Sequence, residues 1–198
     1  MWYQFVKVVF SVLFRILFRL DVYGKENIPK EGPVVIACNH VSNLDPPMVG
    51  TAATRTIHFM AKSELFDSFM GKVYASLYAF PVHRGKADTQ AIRKALTILK
   101  NKQVLGIFPE GHRVTTGKLD KAEPGAMAIA IKGKALVVPT AIMGSNLKAR
   151  KSFWPHIKVI FGKPISVHDE SGNKKETEAL SEELMREIGL LIEAHKDA

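Results

Sequence analysis

Asn39-His40-Val41-Ser42-Asn43-Leu44-Asp45 sets an imidazole and a carboxylate five residues apart in a polar loop, directly after an apolar run. An imidazole takes up and returns a proton near neutral pH. A carboxylate on its other nitrogen fixes the tautomer and steadies the cation that forms. His40 and Asp45 are therefore a candidate base and its orienting partner; a loop histidine and a capping aspartate that never meet is the competing reading of the same spacing. The chain has no Gly-x-Ser-x-Gly elbow to supply a nucleophile. Its one cysteine, Cys38, should point away from His40 by strand alternation. A hydroxyl of the substrate is then a candidate nucleophile.

Three further segments combine apolar runs with reactive or cationic residues. In Gly106-Ile107-Phe108-Pro109-Glu110-Gly111-His112-Arg113, Pro109 and Gly111 demand a tight turn. That turn should leave Glu110 and Arg113 at a rim, with Gly111 allowing close approach of a ligand. The Arg113 guanidinium is a planar fork suited to a phosphate. Phe80-Pro81-Val82-His83-Arg84-Gly85 offers Arg84 as a second phosphate ligand. Val137-Val138-Pro139-Thr140 is an apolar run broken by proline, which points to an edge or a site wall rather than a central ladder position. His40, Asp45, Glu110 and His112 are also possible metal ligands, but no His-Glu-x-x-His spacing supports a zinc site and no metal is expected.

These residues need a scaffold. Short apolar runs at 33–39, 56–61, 103–108, 135–142 and 157–161, each bounded by turn or charged residues, read as strands. Helices are expected over 63–78, over 88–100 with Asp88 as N-cap and Ile92, Ala95, Leu96 and Leu99 on one face, from Pro124 to near Gly133, and over 176–195 with Leu180, Leu184, Ile188 and Leu191 inside. Alternating strands and helices predict an α/β fold: one layered domain, its central sheet mostly parallel or mixed and flanked by helices. No internal repeat or long linker interrupts it, and 198 residues suit one core.

The composition, 46% hydrophobic and 24% charged, excludes disorder and low-complexity assembly, and a single cysteine excludes a disulfide framework. Net charge is +9. Residues 169–198 hold nine acids against four bases, so the first 168 residues carry +14. Such a surface attracts nucleic acid, anionic lipid or phosphorylated substrates. Within residues 1–20, Gln4, Lys7, Ser11, Arg15 and Arg19 form one helical stripe, and the rest is largely aromatic and aliphatic. No apolar run reaches the roughly 20 residues of a spanning helix, and a cleavable signal peptide lacks its basic start and small-residue site. The segment is expected to lie in a membrane interface, with Lys7, Arg15 and Arg19 on anionic headgroups; a helix packed on its own domain is the alternative. Arg150, Lys151, Phe153, Trp154 and Lys158 are a second basic-aromatic stretch, suited to phosphodiester or membrane.

The four blocks, in this order and spacing, resemble the glycerolipid acyltransferases. The H-x4-D block is His40 to Asp45, the phosphate block 80–85, the F-P-E-G-T-R block 108–113 and the proline block 137–140. His83 stands where that family usually has Asp or Asn, His112 where it has Thr, and Val114 where Ser often follows. The resemblance implies transfer of an acyl group from a thioester, acyl-coenzyme A or acyl-carrier protein, to the free hydroxyl of 1-acyl-glycerol-3-phosphate. No covalent acyl-enzyme and no bound cofactor are implied. Glycerol-3-phosphate or another lysolipid is the alternative acceptor. His40 and Asp45 would be catalytic, and Lys62, Arg84, Glu110, Gly111 and Arg113 would bind substrate. Residues 1–24 would hold the chain peripherally on the cytoplasmic face of a membrane, and residues 25–198 would form the acyltransferase domain. Nucleic acid is not an expected partner. A non-enzymatic basic binder is the remaining alternative.

Overall fold

Val34–Cys38 is apolar at every position, and a strand of that kind is stable only when both its faces are covered. In the computed structural model, which describes residues 2–83, 88–114, 116, 118–147 and 153–196, it is the middle strand of seven. The elements in chain order are α1 (Trp2–Leu17), β1 (Arg19–Tyr23), β2 (Val34–Cys38), α2 (Asp45–Ala52), β3 (Ile57–Lys62), α3 (Phe69–Ser76), β4 (Phe80–Val82), α4 (Thr89–Lys100), β5 (Val104–Ile107), α5 (Pro124–Lys132), β6 (Leu136–Met143), β7 (His156–Phe161) and α6 (Thr177–Ala194). The sheet order is β1-β7-β6-β2-β5-β3-β4. Every neighbour is parallel except β6 with β7.

Alternation along β2 divides the core in two. Val35 and Ala37 face Ala95, Leu99, Met127, Leu180, Leu184 and Ile188, so α4, α5 and α6 cover that side. Val34, Ile36 and Cys38 face Met48, Val49 and Ala52 of α2, with Phe14 of α1 in the same cluster. The first three residues of the expected stripe on α6 are fully buried, and Leu191 lies at its margin. On α4 the expected face is rotated: Ala91 and Ile98 are inside, and Ile92 and Leu96 are only half-buried. Asp88 caps α4 through Oδ1, which accepts from the backbone N–H of Gln90 and of Ala91.

Several expectations are corrected. The N-terminal helix stops at Leu17, and Arg19–Tyr23 is an edge strand on β7, with Arg19 opposite His156. The helix expected over 63–78 is a short 3₁₀ turn at Ser63–Phe66 followed by α3, because Ser68 is extended and restarts the helix. The strand with Pro139 is central rather than at an edge. It tolerates proline because its antiparallel register with β7 begins only at Thr140, and the Pro139 carbonyl is still used, accepting from Gly162 N–H at 2.7 Å.

α1 packs on α2, with Phe10 and Phe14, and Phe18 just after the helix, in the cluster around Met48, Val49 and Ala52. The side chain of Lys7 turns inward too, and its ammonium donates to the Ala53 carbonyl at the end of α2. Burial, then the charge of Lys25, lowers its pKa. Lys7 is thus not the headgroup ligand expected from the sequence. Arg15 and Arg19 are exposed. One face of the segment packs on the domain, and the other leaves Trp2, Phe5, Val8, Val12 and Ile16 exposed. Among the described residues no helix is long and apolar enough to cross a membrane.

Candidate active site

β2, β5, β3 and β4 lie side by side and parallel, so their carboxyl ends share one edge of the sheet. His40 follows β2, the turn with Glu110 and Arg113 follows β5, Lys62 ends β3 and His83 follows β4. α/β sheets place ligands at this edge.

The His–Asp pair forms. His40 Nδ1 lies 2.8 Å from Asp45 Oδ2, with the histidine 6% and the aspartate 0% exposed. The pair meets because the chain folds back at Ser42 into α2, whose first residue is Asp45. Pro46 and Pro47 suit that position, since the first turn of a helix needs no amide donors from them. Asp45 Oδ2 also accepts from the backbone N–H of Val41 and of Ser42, each at 2.7 Å. Its other oxygen, Oδ1, accepts from Ser145 Oγ at 2.6 Å. Four donors therefore surround one carboxylate. With Asp45 placed as the acceptor opposite Nδ1, that nitrogen is the donor and Nε2 carries the lone pair.

The second block clamps the first. Phe108 stacks on the His40 ring at 4.0 Å and 23°. Glu110 Oε2 accepts from His40 N–H at 2.8 Å, and Val114 N–H donates to the His40 carbonyl at 2.7 Å. Glu110 is 1% exposed, and its Oε1 accepts from Asp120 N–H. The rim position expected for Glu110 is thus corrected: the carboxylate is turned in, where the backbone N–H groups of His40 and Asp120 meet its two oxygens. Gly111 carries the turn at φ 70, and a Cβ there would lie 2.8 Å from Glu123 Cγ. Gly106 has no room either: a Cβ would stand 2.4 Å from the Phe59 ring, which stacks on Phe108.

Arg113 is at the rim as expected. With His112, Lys118 and Asp120 it lines a cleft of about 360 Å³, across which His112 Nε2 faces Asp120 Oδ2 at 3.4 Å. Lys62 Nζ pairs with Glu64 at 3.0 Å, and both are more than half exposed. Glu64's own backbone N–H, then the Lys62 ammonium, lowers that carboxyl to about 2. Arg84 lies outside the described residues, as do Arg150 and Lys151. His83 is held through Nδ1 and its backbone N–H by Asp88 Oδ2, at 2.8 and 2.9 Å. Cys38 is buried; desolvation, then Asp45 and Glu110, pushes its thiol well above the ordinary range, so it is no nucleophile. Among the described residues no three His, Cys, Asp or Glu side chains are grouped to hold a metal ion.

Sequence reading missed three supports. Asn39 ties the loop to β6 through both bonds to Ile142, Nδ2 to the carbonyl and Oδ1 from the N–H. Its place beside His40 was the available signal. Phe108 was assigned to a motif but not to a stack. Ser145 had no local signal, being 100 positions from its partner.

An α/β sheet carrying an H-x4-D pair at its carboxyl edge, clamped by a Pro-Glu-Gly turn, defines a class. A family model described as Acyltransferase matches residues 19–143, and the chain belongs to that family. It is 32% identical over 190 residues to the 1-acyl-sn-glycerol-3-phosphate acyltransferase of Bacillus subtilis (strain 168), covering 94% of each. A protein of the same description from Saccharomyces cerevisiae is 30% identical over 145 residues, 69% of this chain and 48% of that one. The crystal structure of the 1-acyl-sn-glycerophosphate acyltransferase PlsC from Thermotoga maritima matches with a TM-score of 0.82 at 26% identity, over 99% of this chain and 80% of that one.

Proposed function

We infer that the protein transfers a fatty acyl group from an acyl thioester to the free hydroxyl of 1-acyl-glycerol-3-phosphate, giving phosphatidic acid. The observation that carries the chemistry is the buried His40–Asp45 pair, held so that Nε2 is the free nitrogen. Nε2 takes the proton of the acceptor hydroxyl as its oxygen attacks the thioester carbonyl carbon. The carbon–oxygen bond forms, the carbon–sulfur bond breaks, and the imidazolium returns the proton to the leaving thiolate. Asp45 keeps the ring in this tautomer and offsets the charge of the imidazolium.

Binding follows from charge. Arg113 supplies a guanidinium fork for the acceptor phosphate, and Lys62 and Arg84 supply further cations. Glu110 and Gly111 act by shape, fixing the turn against His40. The exposed apolar face of α1, with Arg15 and Arg19 beside it, suits the interface of an anionic membrane, the source of a lipid acceptor.

The test is an acyl-transfer assay crossing lysophosphatidate, glycerol-3-phosphate and lysophosphatidylcholine with acyl-coenzyme A and acyl-carrier protein. Phosphatidate from lysophosphatidate is the expected product. Turnover of glycerol-3-phosphate alone would transfer the reading to the other acceptor, and no acyl ester from any pair would overturn it.

A further inference from the structure

We propose that Phe153 and Trp154, in the connection between β6 and β7, are a second lipid-inserting element that sets the His40 edge of the sheet against an anionic bilayer. The inference rests on the membrane-associated acyl-transfer reading above and deepens it.

The placement follows from topology. β7 runs antiparallel to β6, so His156 starts at the edge where β6 and β2 end and where His40 lies. Phe153 and Trp154 come just before it. Phe153 is 96% exposed and Trp154 52%. Neither exposure is explained by the core, yet Trp154 is tied to α1 and the residue after it to β1. Trp154 Nε1 donates to the Ile16 carbonyl at 3.1 Å, and Arg19 N–H donates to the Pro155 carbonyl at 3.1 Å. The exposed apolar face of α1 therefore runs on into the aromatic pair.

Three features point to a bilayer as the occupant. Aromatic side chains beside Arg15 and Arg19 combine the apolar and cationic contacts of an anionic lipid interface. The indole N–H is already satisfied within the fold, so the ring enters lipid without an orphaned donor. The apolar surface is continuous along α1, longer than a single side-chain pocket on a partner would require. The same connection begins at Ser145, which holds Asp45. One end of it touches the orienting carboxylate and the other would touch lipid, so an acceptor leaving the bilayer there enters at the edge of the sheet that carries His40.

The chain has two tryptophans, Trp2 and Trp154, which makes the test direct. Trp2→Phe leaves Trp154 as the only indole, and Trp154→Phe leaves Trp2. Each full-length variant is mixed with phosphatidylglycerol–phosphatidylcholine vesicles brominated on the acyl chains. Trp154 emission is expected to be quenched and shifted to the blue on binding. Phe153→Ser, at a site outside the core, should lower vesicle affinity about tenfold with an unchanged circular dichroism spectrum. Quenching of Trp2 with none of Trp154 would overturn the inference and leave α1 as the sole contact. Failure of the wild type to bind vesicles would overturn both membrane statements, while phosphatidate formation from dispersed substrate would still stand as the separate measure of the acyl-transfer reading.

Discussion

His40 is held at five points: its ring by Asp45 and Phe108, its N–H by Glu110, its carbonyl by Val114, and its neighbour Asn39 by β6. In the proposed mechanism the base acts as part of that clamp. His40→Ala should lower kcat by about 10²–10⁴-fold in a soundly folded protein, and Asp45→Asn by nearly as much because the wrong tautomer is favoured. Steady-state turnover on phosphatidate formation checks both, and wild-type turnover in His40→Ala would remove the mechanism. Ser145 is a positioning residue. Ser145→Ala takes one hydrogen bond from a buried carboxylate, an interaction worth about 1.5–3 kcal/mol, so kcat should fall by about tenfold or more while KM for the acceptor is unchanged. The pH profile of kcat should move with it, since Ser145 no longer helps to hold the carboxylate against His40 Nδ1. An unchanged profile with a raised KM would place Ser145 in binding instead. The pairing of His40 with Asp45 was legible because five residues of local chain bring them together. Ser145 was not, because only the β6–β2 pairing brings it there.

At the level of elements, β2, β3 and β5 of the site were readable from short, mostly apolar runs, and so were the longer helices from their 3.6-residue period. The short ones were not. α2 has eight residues and begins with Asp-Pro-Pro, which reads as a loop, and β4 has three. The edge strand β1 hid behind the aromatic helix before it, since Leu20 and Val22 continue the apolar run that α1 begins. Packing between strands carries the next prediction. Gly106→Ala would push a methyl into Phe59 and Ile57, so it should destabilise the fold by about 1–3 kcal/mol and disturb the Phe59–Phe108–His40 stack. Denaturant unfolding and kcat should both fall; loss of neither would mean that the rings shift freely. The cap of α4 carries another. The backbone N–H of Ala91, then that of His83 and its ring, hold the Asp88 carboxyl well below the ordinary range. Its folded pKa is depressed, so its contribution is present above the unfolded value of about 3.9 and is lost as pH falls below that. An acid titration of helicity should be shallower in Asp88→Asn, which still caps but does not ionise. Superimposable titrations would show that the cap does not report.

Across the whole molecule, charge and hydrophobicity are segregated: acids gather toward 169–198, while the +14 remainder carries the site and the exposed face of α1. Anionic lipid should draw that end of the molecule toward it. Reversing Arg15 and Arg19 to Glu should weaken binding to anionic vesicles by at least about thirtyfold at low salt, from roughly 1 kcal/mol for each base, with little effect on neutral vesicles. Co-sedimentation across a salt series measures this, and equal loss on both vesicle types would mean the arginines act through packing. Lys7 belongs to no such experiment, because its charge is spent on the end of α2. The pairing of Arg19 with His156 has a consequence in time. During synthesis α1 and β1 leave the ribosome long before β7 exists, and an edge strand with no neighbour cannot draw its helix onto the sheet. Under the proposed membrane reading, nascent α1 would meet a bilayer before β7 is made, and the catalytic layer would assemble afterwards against it.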